Sequence, residues 1–296
     1  MKISLFDSPQ VVADGVANAT RAQKAGLYRY WSPQVMNADT MMTLATVAAA
    51  VPDIQLGTSV MAMQTMLPQT MAQQSRTLNQ ISGGRFTLGI GVNHKPVVTS
   101  RWGLPWDKPY SRFVEYLDAL QPLLADGAVD VSGEYVSHTT AIEVPSEEPG
   151  LMLAALGPKM LNLAGARSGG TITWMTGPKT IASHIRPGLE AGGGGEIVAG
   201  VSMVVTNSDD ETAQARAWAN KALAIYPQLP SYRAVMDREG AVEAADLVLI
   251  GSADEVRAGI ETYRDAGTDE VALNLIGSPE QNNQSWGLIQ TLASAE

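Results

Sequence analysis

The sequence predicts an α/β fold, a parallel (β/α)8 TIM barrel, and three observations predict it. Short β-type runs alternate with amphipathic stretches along the whole 296-residue chain. Eight such pairs occur, and right-handed parallel crossovers repeated eight times close on themselves. An apolar fraction of 45% over this length suffices for one full-sized core, though it would fit two smaller domains as well, so the alternation decides. Residues 1–296 are therefore read as a single barrel domain.

The elements follow in order. KISLF at 2–6 opens as a strand, and a helical pattern at 11–25 runs into Gly26. The aromatic LYRYW predicts a strand at 27–31, followed by an almost wholly apolar helix at 39–51 that starts at Asp39. IQLGTSV at 54–60 is the third strand, and a helix at 68–81 lies between Pro68 and Gly83. FTLGIGV at 86–92 is the fourth. It leads into a long loop at 93–109, a helix at 110–125 and a β-hairpin reading at 126–149. These are insertions after strand four and before strand five, and loops of this length commonly carry function. Strands at 151–156, 171–175, 197–205 and 271–276 complete the set, with helices at 158–167, 179–190, 209–223 and 253–266. GGGG at 192–195 is read as a flexible joint, and 224–250 as a further insertion holding a helix before LVLIGS.

Composition excludes several function classes. There is no cysteine, hence no disulfide framework, thiolate metal site or Cys nucleophile. A formal charge of −10 opposes non-specific nucleic-acid binding. Residues 1–195 carry 14 basic and 14 acidic side chains, and 196–296 carry 6 and 16, so the net charge lies in the last third. Within 151–195 the balance reverses: Lys159, Arg167, Lys179 and Arg186 face only Glu190, which suits an anion site or merely solvated helix faces. No apolar run of signal-peptide length precedes Pro9, and none reaches about 18 residues elsewhere. The expectation is a soluble cytoplasmic protein without a membrane partner.

In a parallel barrel, ligands bind where the strands end, because the βα loops gather there and helix N-termini present free N–H groups. That directs attention to Gln34, to 59–63, to Gly91, Asn93, His94 and Lys95, and to 157–159 and 176–179. Gly89 and Gly91 leave strand four without side chains where a flat ligand could press on the backbone.

SGGRFTLGIG at 82–91 resembles the strand-four signature of the bacterial luciferase-like superfamily. WSPQV at 31–35, LGTSV at 56–60, AALGPKMLNLAG at 154–165 and TWMTGP at 173–178 are similar to its coenzyme F420-dependent branch. Four segments matching in order are specific where a lone GxG is not, and the likeness runs from strand one to about residue 265. It implies an oxidoreductase with F420 as cofactor, FMN being the alternative. It further implies that Ser59 and Val60 hold a non-prolyl cis peptide backing the ring. Gly157, Pro158 and Lys159, together with Thr176, Gly177 and Lys179, resemble the family's phosphate-holding segments, and each opens a helix beside a cation.

The chain departs from the family's sugar-phosphate-oxidising members. His94 stands where they have Glu, and Pro33 and Gln34 stand where they have an Asp-His pair. No general base remains at strand two, which favours hydride delivery from reduced F420 to an electron-poor enone, imine or nitro compound. His94 is then the candidate proton donor, or else a residue that hydrogen-bonds its loop. His138 and His184 are expected to be solvated, and no histidine pair or HExxH pattern suggests a metal. Trp31, Gln34, Met63, Trp102 and Trp106 are candidate walls of a substrate pocket, with core packing as the alternative for the apolar ones. The apolar helix at 39–51 needs burial, which favours a homodimer, with deeper packing inside the monomer as the alternative. Two further functions remain open: an FMN-dependent monooxygenase fed by a separate reductase, and a non-catalytic flavin- or deazaflavin-binding protein.

Overall fold

The computed structural model describes residues 1–293. Its strands are β1 (Lys2–Phe6), β2 (Arg29–Ser32), β3 (Gln55–Thr58), β4 (Met61–Ala62), β5 (Phe86–Gly91), β6 (Ala128–Ser132), β7 (Ser137–Ala141), β8 (Gly150–Ala154), β9 (Gly170–Trp174), β10 (Glu196–Val205), β11 (Leu249–Gly251) and β12 (Glu270–Leu275). Its helices are α1 (Val12–Lys24), α2 (Thr40–Ala50), α3 (Pro68–Ser82), α4 (Pro109–Ala125), α5 (Pro158–Arg167), α6 (Pro178–Thr180), α7 (Arg186–Glu190), α8 (Asp209–Ala222), α9 (Pro230–Glu239), α10 (Ala253–Asp265) and α11 (Pro279–Ala293). The hydrogen-bonded strand order is β11-β10-β12-β1-β2-β3-β5-β8-β9, with β4 on β5. Because β9 also pairs with β10, the eight parallel strands close into a barrel, as the βαβ alternation predicts.

The chain divides into two compact units, Met1–Asp7 with Asn18–Trp31 and Ala155–Glu296, and Ser8–Ala17 with Ser32–Ala154. In the first, β10 is buried along nine of its ten residues, which accounts for its unbroken apolar run. The barrel interior here contains a buried charge. Glu270 is fully buried; Ser4 Oγ and Trp31 Nε1 each donate to its Oε1 at 2.6 Å, and Arg29 lies 3.4 Å from Oε2. A buried carboxylate persists only when so paired. In the second unit, Asp39 caps α2 by accepting from Met42 N–H, and Gly83 ends α3 in the left-handed region at φ 66°. Buried Arg76 donates to the carbonyls of Leu124, Ala125, Val144 and Ser146, tying the end of α4 to the exit of the hairpin β6–β7.

Several boundaries differ from the sequence reading for local reasons. Leu27 N–H still bonds Ala22 O in the turn after α1, so β2 begins only at Arg29. The strand expected at 54–60 stops at Thr58, whose hydroxyl accepts from Gly89 N–H and donates to Gly89 O, each at 2.8 Å, in place of a backbone partner. The helix expected at 179–190 contains a π turn at Ile181–Ile185. The glycines at 192–195 form a close-packed turn: a Cβ on Gly192 would lie 2.0 Å from Asn162 O. The last helix, α11, carries a weak apolar stripe and was not anticipated. Among the described residues, no helix is long and apolar enough to cross a membrane.

Candidate active site

The second unit brings together the residues after β2, β3 and β5. The Ser59–Val60 peptide is cis, as the resemblance implied, and both residues are half-buried. Ser59 N–H donates to Ser32 O at 2.9 Å. Gln34 does not present its amide to a substrate, as expected, but staples this turn: Oε1 accepts from Ala62 N–H at 2.8 Å and Nε2 donates to Thr65 Oγ1 at 3.2 Å. Gly91 is also corrected. Its bare face is closed by protein, since a Cβ there would lie 2.9 Å from Ala154 Cβ and 3.3 Å from Val60 Cγ2. Gly91 thus allows the strand ends to pack against Val60 without itself opening to a ligand.

Beyond β5 the chain turns through Asn93, which takes φ 53°, a conformation asparagine tolerates better than most residues. Its Oδ1 accepts from His94 N–H at 2.7 Å, fixing the approach to His94. His94 is half-buried, and burial lowers its pKa from the ordinary 6.5. Trp102 and Trp106 are half-exposed on the following loop, whereas Met63 is buried. Gln64 Nε2 donates to Val92 O, while its Oε1 is shielded from solvent with no partner among the described residues. Met63 lines a cavity of about 430 Å³ with Met66, Tyr116, Tyr135 and His138. His138 is therefore not the solvated residue expected from its hairpin position, and its Nε2 is buried with no partner among the described residues.

The first unit holds both expected phosphate segments, and they differ. Gly157 precedes α5 with no side-chain cap, and Gly157, Pro158 and Lys159 are exposed, so this helix N-terminus is open to an anion. The second is closed. The Glu239 carboxylate, from the end of α9, accepts from Lys179 N–H at 3.1 Å and from the next N–H, that of Thr180, at 2.8 Å, so it occupies the helix start expected to hold a phosphate. Gly177 makes this approach possible, because a Cβ there would lie 2.3 Å from Glu239 Cδ. Lys179 Nζ bonds Glu239 O, and buried Thr176 donates its hydroxyl to Trp174 O at 3.0 Å. Thr176, Gly177 and Lys179 thus serve the fold here, an arrangement hidden from sequence because Glu239 lies 60 residues from Lys179.

Three further corrections concern this unit. Trp31 is no pocket wall: its indole is fully buried and bonded to Glu270. His184 is not idle in solvent but bonds Leu156 O at 2.8 Å, bracing the residue before Gly157. Arg186 does not add to a free positive patch, because it pairs with Asp269 at 2.6 Å and bonds Gly195 O. Sequence reasoning missed Phe6 and Trp174 at the ends of β1 and β9, stacked at 4.8 Å between centroids. A Trp at a strand end, beside the resemblance segment 173–178, was the available signal.

Comparisons with known proteins bear on the fold and the family. A Mycobacterium tuberculosis protein provisionally named a coenzyme F420-dependent oxidoreductase is 26% identical, covering 92% of each chain. An F420-dependent secondary alcohol dehydrogenase, solved with an F420-acetone adduct, superposes with a TM-score of 0.80 at 20% identity over 99% of this chain and 97% of that one. The oxygenating constituent of 3,6-diketocamphane monooxygenase from Pseudomonas putida, solved with FMN, does so with a TM-score of 0.78 at 15% identity over 100% and 98%. These likenesses show the barrel fold. The family model of the luciferase-like monooxygenases matches residues 4–281, nearly the whole chain, and the protein belongs to that family.

Proposed function

We propose that this protein is an F420-dependent oxidoreductase that reduces a small electron-poor substrate. The observation that carries the direction is Gln34, whose amide is engaged by Ala62 and Thr65 and which follows a proline, so the end of β2 holds no general base. The relative named as F420-dependent over most of its length favours this cofactor. The residues fit such a group: half-exposed Ser59 and Val60 offer a backing, and the orphaned Gln64 Oε1 can accept from a ring N–H or hydroxyl. Reduced F420, when bound, supplies a hydride. His94 then delivers a proton to the substrate, with Asn93 holding its backbone. In the first unit, taken by itself, the open N-terminus of α5 beside Lys159 suits a phosphate.

Titration with oxidised F420 and with FMN, followed by cofactor fluorescence, tests this reading. Binding of F420, with turnover on an enone or nitro compound, is expected; tight FMN binding without F420 affinity would transfer the protein to the FMN-dependent monooxygenases, which the FMN-bound structural relative supports. Binding without turnover on any such substrate would leave a storage protein. We also propose a homodimer through the surface around α2. There Met42 is 71% exposed and Met36 66%, although Met41, Leu44 and Val47 of α2 are buried. Light scattering should give twice the chain mass, and Met42→Glu should give the chain mass.

A further inference from the structure

The first unit contains an aromatic floor that the proposed function does not yet use. Parallel partners on adjacent strands face the same way, so the register Ser4↔Ala272↔Gly200↔Trp174 forms one row and Trp31↔Phe6↔Asn274↔Ser202 the next. Ser4 and Trp31 both meet the buried Glu270, which places these rows on the barrel interior. Phe6 and Trp174 are the last residues of their strands, so their stack lies at the C-terminal end, where barrel ligands bind.

Three features build this stack. Gly200 gives the indole its room, since a Cβ there would lie 2.7 Å from Trp174 Cε3. Met175 takes φ 51° immediately after Trp174, turning the chain away at the strand end. Tyr226, from the insertion before β11, stands 6.4 Å from Trp174 at 55° and is held edge-on by Tyr232 at 4.8 Å. Trp174 and Tyr226 remain half-exposed, and Asn274 and Ser202, hydrogen-bonded at 3.3 Å, add polar groups in the same row as Phe6.

We infer that Trp174 and Tyr226 are specificity-determining residues that stack a planar, conjugated, electron-poor ring and discriminate against puckered or acyclic molecules. Electron-rich indole and phenol faces are attracted to electron-poor rings by their quadrupoles. The same electron deficiency makes such a ring a hydride acceptor, so this inference rests on the proposed reduction and narrows its substrate class. It adds no requirement on which cofactor is used.

Calorimetric titration of the cofactor-free protein with nitrobenzene and with nitrocyclohexane, which share the nitro group and differ in planarity, tests it. Nitrobenzene should bind roughly fivefold more tightly. Trp174→Leu should remove that preference by weakening nitrobenzene alone, and Trp174→Phe should retain most of it. Should circular dichroism show Trp174→Leu unfolded, Tyr226→Leu, at a half-exposed site, carries the comparison with the same expectation. Equal affinities for the two ligands, no binding of either, or equal loss of both in the variant overturns the inference. F420 titration is a separate measurement, so failure of the cofactor reading would be recognised independently.

Discussion

At the scale of single residues, His94 carries the sharpest expectation. Burial lowers its pKa below 6.5, so at neutral pH the imidazole is mostly neutral. If imidazolium supplies the proton, kcat is full at pH values below that lowered pKa and falls as pH rises through it. His94→Gln should lower kcat, leave F420 affinity within about twofold, and remove that limb of the profile. An unchanged profile would take His94 out of the reaction. Lysines offer a paired contrast. Lys159 is exposed beside an uncapped helix, whereas Lys179 is bonded to Glu239. Lys159→Ala should therefore weaken cofactor binding by roughly three- to fivefold, on the scale of one helix-terminus charge, and Lys179→Ala should change it little.

At the scale of elements, carboxylates on helices brace turns brought beside them by the fold. Glu239 at the end of α9 caps the turn at Lys179 and Thr180, as an N-cap side chain would. Glu239→Ala should cost about 1 kcal/mol in urea unfolding. Glu115 of α4 performs the corresponding task for the hairpin β6–β7, accepting from the backbone N–H groups of Glu134, Tyr135 and Val136. Those bonds hold its carboxyl below the ordinary 4.5. Above pH 4.5 the carboxylate is charged whether the hairpin is docked or free, and the contribution is complete. As pH falls below 4.5 the free state takes up the proton first, and the contribution is lost through the lowered pKa. Amide exchange at residues 134–136 should accelerate in acid, and Glu115→Gln should show fast exchange at every pH. Both braces link residues distant in sequence, 60 apart for Glu239 and Lys179, and no periodicity or cap pattern could have revealed them.

At the scale of the whole molecule, alternation along the chain carried the architecture. All eight expected barrel strands are found, most within two residues, because a strand buried on both faces is legible from its apolar run alone. The exceptions are informative: β3 ends early because the Thr58 side chain replaces a backbone partner, a tertiary contact with Gly89. The barrel interior holds a stability contribution that a single substitution can expose. Glu270 joins β12 to Ser4 on β1 and to Arg29 and Trp31 on β2. Glu270→Ala would leave Arg29 buried and unpaired, and should cost about 3–5 kcal/mol in chemical unfolding. A loss under 1 kcal/mol would show that water replaces the carboxylate.

By itself the sequence determined the barrel and the family, since these follow from periodicity and from short motifs contiguous in the chain. Tertiary structure decided which motif residues remain available to a ligand. Trp31 and Gln34 stand at the expected strand end, yet Glu270 and Ala62 occupy their polar groups. Of two similar Gly-Pro-Lys segments, one is open and the other holds Glu239. A motif specifies which groups a segment offers, whereas their freedom depends on partners brought close by the fold.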